Sequence, residues 1–173
     1  MHSRFDVDKA IEAILYVAKR IDDPTSHKIA KVFYFADRKH LDCYGRFIAG
    51  DTYIAMRYGP VPSGVFDLLK QARGDDQSFC RSEHARNLIF VHGRYNISVA
   101  RDADLDYFSD SDLECLDASI QENNPLSFQE LTDKSHDAVY NTADLDDSIP
   151  LESFIRYSST PESLRQYLTD LTP

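Results

Sequence analysis

Apolar residues recur along residues 6–21 at Val7, Ala10, Ile11, Ile14, Leu15, Ala18 and Ile21. Steps of three and four predict a helix with one buried stripe. Asp6 or Asp8 is placed to cap its start. Lys19 and Arg20 fall in its last turn, where positive charge suits the helix dipole. A second helix starts at Thr25 or Ser26 and carries Ile29, Val32, Phe33, Ala36 and His40 on one face, with Leu41 close by. Tyr34 and Asp37-Arg38-Lys39 fall on its other sides, and Gly45 marks its end. Residues 52–58 fit a short strand or an extended packed loop. Gly59-Pro60-Val61-Pro62 follows as a rigid structural corner, because each proline fixes its own φ and restricts the residue before it. A third helix from Ser63 carries Val65, Phe66, Leu68, Leu69 and Ala72, and Gly74 stops it.

The pattern is weaker beyond this point. Residues 77–87 are polar and carry no clear period. Leu88 to Val91, a turn at His92-Gly93, and the alternating Tyr95, Ile97 and Val99 read as a hairpin. Serines and aspartates at 109–112 offer caps for a helix with Leu113, Leu116, Asp117 and Ile120. Ser127 and Glu130 form a capping box for a helix that turns Phe128 and Leu131 inward. Residues 143–149 form an acidic loop, and a short segment begins at Pro150. Thr160 and Pro161 open a last helix with Leu164, Tyr167, Leu168 and Leu171. The sum is a mainly α fold, or α+β with one small β-hairpin, in a compact single-domain helical bundle spanning residues 1–173.

The 173 residues carry a net charge of −10, unevenly placed. Residues 1–101 hold 16 Lys/Arg against 12 Asp/Glu, and residues 102–173 hold 3 against 17, balances of +4 and −14. The acidic part repels phosphates, so it is no nucleic-acid footprint. It either pairs with the first half, is simply solvated, or faces a basic protein partner. Lys28, Lys31, Arg38, Lys39, Arg46 and Arg57 lie among aromatic residues, a mixture that suits nucleic acid. Asp37, Asp42 and Asp51 interleave with them and weaken that reading. No apolar run is long enough to span a bilayer and no apolar leader opens the chain, so a cytoplasmic protein is expected.

Catalytic chemistry finds little support. No phosphate-binding glycine loop, nucleophile elbow or zinc-binding His-Glu-x-x-His motif is present. The six histidines lack metal-ligand spacing, and His40 reads as a satisfied core histidine. Cys43, Cys80 and Cys115 are about 35 residues apart and read as structural thiols. His136-Asp137, with Asp133 one turn back, allows a carboxylate–imidazole contact. The chain is therefore expected to be no enzyme and to hold no cofactor and no metal. Protein binding is the remaining class, because a rigid aromatic centre beside Arg and Tyr supplies the residue types that dominate interface energies. Asp37, Arg38, Asp51, Arg57 and Tyr58 are the members of this centre expected to face outward and meet a partner.

Several of these stretches resemble one family. KVFYFAD over residues 31–37, His40-Leu41, Gly45, GDTY over residues 50–53 and above all YGPVPSGVFDLL over residues 58–69 are similar to the Panacea domain. That domain occurs in SocA-like antitoxins and in proteins labelled phage-associated. Ser135-His136-Asp137, after Glu130-Leu131, resembles the family's later Ser-His motif and adds His136 to the partner-binding set. The chain departs from the pattern in having no Trp. The resemblance implies a mostly helical bacterial or prophage antitoxin that neutralises a toxin encoded beside it by direct binding. Its alternatives are an adaptor that hands a partner to a Clp-type protease and a nucleic-acid-binding regulator.

Overall fold

The computed structural model describes residues 4–75 and 82–171. Eight α-helices and two antiparallel strand pairs are present among them, a mainly α fold. Helix α1 (Val7–Ala18) starts at Asp6, whose carboxylate accepts from the Lys9 N–H at 3.0 Å. It ends earlier than the apolar stripe, at Lys19, and Ile21 packs from beyond it. Every residue from Ala10 to Ala18 is buried, so α1 is a central helix enclosed on all sides. Glu12 and Tyr16 are buried there with partners: Glu12 accepts a two-pronged bond from Arg101, and Tyr16 donates to Asp117 at 2.7 Å.

Helix α2 (Ser26–Tyr44) is capped by Thr25 and ends at Gly45, whose φ of 75° is left-handed. A Cβ at Gly45 would also lie 2.4 Å from the Tyr167 ring. Strand β1 (Tyr53–Met56) pairs with β2 (Gly59–Pro62). The Gly-Pro-Val-Pro segment is thus a strand of a tight ribbon instead of a corner. Its prolines have no N–H to offer a further strand, which suits an edge. Helix α3 (Ser63–Arg73) follows directly and stops at Gly74.

Helix α4 (Glu83–Leu88) lies in the polar stretch that shows no period, because its six residues span under two turns. Cys80 lies outside the described residues. The hairpin forms from β3 (Ile89–His92) and β4 (Asn96–Val99), shifted from the reading: Leu88 ends α4, His92 is a strand residue and residues 93–95 make the turn. Tyr95 belongs to its turn and is half exposed. Helices α5 (Asp110–Asn123) and α6 (Phe128–Ser135) both open on capping boxes, Ser109/Asp112 and Ser127/Glu130. Helices α7 (Leu151–Arg156) and α8 (Pro161–Asp170) close the chain.

Helix α2 separates two apolar clusters. One surrounds α1 and takes residues from α2, α3, the hairpin and α5. The other joins Tyr34 and Leu41 to Tyr53, Val139, Phe154 and Leu164. The acidic segment 143–149 does more than loop. It lies along the free side of β1, with bonds from Asp146 N–H to the Ala55 carbonyl, Ala55 N–H to the Asp147 carbonyl, and Ile149 N–H to the Tyr53 carbonyl.

Candidate functional site

The β1–β2 ribbon ends in a two-residue tip, Arg57-Tyr58. What holds it is a buried lysine. Lys31 Nζ, fully enclosed, donates to the Pro60 carbonyl at 2.9 Å. Gly59 beside it has φ 99°, and a Cβ there would lie 2.3 Å from Ser135 Oγ and 2.8 Å from Lys31 Nζ. Helix α2, the ribbon and the last residue of α6 therefore meet with no room for a side chain at position 59. Burial pushes the Lys31 ammonium down to about 7.

An aromatic surface lies over this junction. Tyr58, 50% exposed, meets Phe128, 51% exposed, edge-on at 5.3 Å. Phe128 stacks on His27 at 4.1 Å, and Arg57 lies 5.4 Å over the Tyr58 ring. Phe128 thus faces outward, contrary to the sequence expectation. It occupies the first turn of α6, beyond the edge of the core that Leu131 enters. His27 bonds Thr132 Oγ1 at 3.2 Å, and burial, helped by the Lys31 charge, pushes its imidazole down to about 4. His27 is thus uncharged at pH 7 where it stacks on Phe128.

The loop after α6 closes the other side. His136 stacks on Tyr140 at 4.4 Å and 12°, and Tyr140 donates to the Met56 carbonyl at 2.9 Å. His136 Nε2 is buried with no hydrogen-bond partner among the described residues. The Asp133 carboxylate bonds Gln129 instead of His136. Asp137 accepts from Tyr34, from Arg38 at 2.6 Å, and from the Val139 and Tyr140 N–H groups.

Arg57 and Tyr58 thus share the exposed tip, with partly buried His136 joined to its base through Tyr140 and Arg38 tied to the same loop through Asp137. Asp37 and Asp51 do not share the tip, and both are corrected from outward-facing to buried. Asp37 accepts from the Ile48 N–H and from Tyr53 Oη, each at 2.7 Å. Burial raises its carboxyl to about 6, against the pull of these bonds. Asp51 accepts from the Thr52, Gly64 and Val65 N–H groups, which anchors the start of α3 across the ribbon. Burial raises its carboxyl too. Sequence reasoning missed Phe128 and Tyr140 as site members and gave Lys31 and Asp137 other roles. One signal was present: His27, Lys31, Tyr34 and Arg38 recur at helical spacing, and this polar-aromatic stripe is the face of α2 turned toward the site.

A second polar hub is structural. Asp112, fully buried, accepts from Lys9 at 2.6 Å, Arg46 at 2.9 Å and the Ser109 N–H, with His40 Nε2 at 3.2 Å. Burial works to raise this carboxyl, but the His40 and Lys9 bonds outweigh it and hold it well below the usual carboxylate range. His40 is the satisfied core histidine expected. With Arg38–Asp137 and Lys19–Asp102, these contacts join first-half cations to second-half acids, so part of the charge asymmetry is neutralised internally. Lys31 points inward and leaves the basic-aromatic array that would suit nucleic acid, and Arg46, though partly exposed, is engaged by Asp112. Among the described residues no group of three His, Cys, Asp or Glu is placed to hold a metal ion, and no helix is long and apolar enough to cross a membrane. Cys43 is exposed, and Cys115 is buried with its thiol pushed up to about 11 by burial.

No curated protein and no solved structure matches the chain significantly. The family model for the SocA-like antitoxin, Panacea domain, matches residues 29–139. That span contains α2 from Ile29 onward, the ribbon, α6 and the Ser135-His136-Asp137 loop, with His27 and Tyr140 just outside it. The chain belongs to the SocA-like antitoxin family of the Panacea domain.

Proposed function

We propose that this chain is an antitoxin that neutralises a cognate toxin by direct protein–protein contact, with the ribbon tip as the centre of the contact. The observation that carries this reading is the exposed Tyr58–Phe128 pair, standing on a buried junction within the family-matched span. Large aromatic side chains held rigid before binding lose little entropy on binding and fill partner pockets well. Lys31, Gly59 and Ser135 hold the ribbon, and His27 and Arg57 flank the pair. The role is binding and not catalysis.

The test is co-expression with the product of the neighbouring reading frame. Growth should be arrested by that product alone and restored by this chain, and the two should purify as one complex. Restored growth without a complex, or a neighbour that is harmless, counts against direct neutralisation.

A further inference from the structure

Away from the tip, the same side of α2 borders a small pocket of about 220 Å³. Its walls are aromatic: Phe35, Phe154 and Tyr157. Its rim is cationic. Arg38 and Lys39 line it, Lys134 Nζ lies 4.4 Å over the Phe35 ring, and the Arg156 guanidinium lies 5.5 Å over the Tyr157 ring. The carboxylates at hand are Asp42 and Asp137. Asp42 Oδ1 already accepts from the Ser159 N–H and hydroxyl, and Asp137 is held by Arg38 and Tyr34. Lys134 donates to Asn123 and reaches Glu122 at 3.7 Å. Lys39 and Arg156 are exposed, and neither makes an ion pair among the described residues.

In a chain of net charge −10, four cations thus surround one aromatic pocket. We propose that this pocket docks an acidic, apolar-bearing segment of a partner protein. An aromatic or aliphatic side chain would enter between Phe35 and Tyr157, and flanking carboxylates would meet Lys39, Arg156 and the free edge of the Arg38 guanidinium. Charge complementarity chooses the occupant. Lys39 and Arg156, exposed and without an ion pair among the described residues, favour an acidic occupant beside the aromatic walls. A small phosphate ligand fits less well. The nearby Ser158 and Ser159 N–H groups are already bonded to Ile155 and Asp42, which leaves no backbone cradle there. The proposal rests on reading the chain as a partner-binding protein, but its test does not use the toxin.

The experiment is an NMR titration of the ¹⁵N-labelled full chain with a synthetic dodecapeptide of alternating aspartate and phenylalanine or leucine. The expected result is saturable shifts at the amides of Phe35, Lys39 and Tyr157, with affinity falling about tenfold in a Lys39→Glu/Arg156→Glu variant and falling again with added salt. The following results overturn the proposal. They are no shift at about 1 mM peptide, equal shifts with the lysine-for-aspartate peptide, equal shifts with inorganic phosphate or ATP, and sedimentation showing the pocket covered by a second copy. Shifts confined to Tyr58 and Phe128 move the binding to the tip and also overturn it. Failure here leaves toxin neutralisation untouched, which growth rescue measures separately.

Discussion

Lys31 donates its ammonium to the Pro60 carbonyl inside the protein, and no carboxylate shares the site among the described residues. This contact fastens helix α2 to the ribbon that presents Arg57 and Tyr58. Its consequence is a dependence on pH. The unfolded chain keeps this proton up to about 10.5, whereas the folded chain releases it near 7. Stability contributed by this group therefore rises as pH climbs through that window. Lys31→Met should abolish the rise, measured as the difference from the parent protein in urea unfolding at several pH values. At neutral pH and below the variant should be at least as stable, because a lost hydrogen bond of about 1 kcal/mol is outweighed by relief of the buried charge. Parallel pH profiles would show that the ammonium is not desolvated.

Gly59 tests the same junction sterically. Gly59→Ala places a Cβ against Ser135 Oγ and Lys31 Nζ at a φ that disfavours side chains. A loss of ~2–4 kcal/mol in denaturant unfolding is expected. Pro60→Ala keeps the carbonyl that Lys31 uses and should lose only about 1 kcal/mol. Equal and negligible losses in both would remove the ribbon from its structural role.

Asp37 has the opposite pH signature. The fold retains its proton up to about 6 and the unfolded chain releases it near 3.8, so its contribution falls as pH rises between those values. Asp37→Asn should flatten this decline in thermal unfolding between pH 4 and about 6. A slope unchanged from the parent protein would place the titration elsewhere.

Asp51→Ala should remove three backbone bonds, two of them at the start of α3, and destabilise the fold by about 2–3 kcal/mol. Partner affinity should be unchanged wherever the variant is fully folded. An affinity loss in folded protein would restore Asp51 to the contact surface.

Much of the fold was legible because its signals are local. Thr25, Ser109 and Ser127 cap helices as their sequence context indicates, and Gly45 and Gly74 end them. Helix α4 was not legible, since EHARNL is too short to show a period. The site was legible in part. Arg57 and Tyr58 occupy an exposed tip because a two-residue turn between paired strands has nowhere else to go. Asp37 and Asp51 resembled surface residues because their partners, Ile48, Tyr53, Gly64 and Val65, lie 11 to 16 residues away in sequence. Phe128 resembled core because periodicity marks a helix face but not where the core ends along it. Lys31 gave only the faint signal of a charge within an apolar run.

The central claim is that the Tyr58–Phe128 pair carries the antitoxin contact. The most direct measurement is the dissociation constant for the neighbouring-frame toxin with the parent chain and with a Tyr58→Ser/Phe128→Ser variant, alongside unfolding curves for both. Loss of two exposed aromatic anchors should weaken binding by at least about 100-fold, or roughly 3 kcal/mol, with stability nearly unchanged. Equal affinity in a folded double variant would contradict the account.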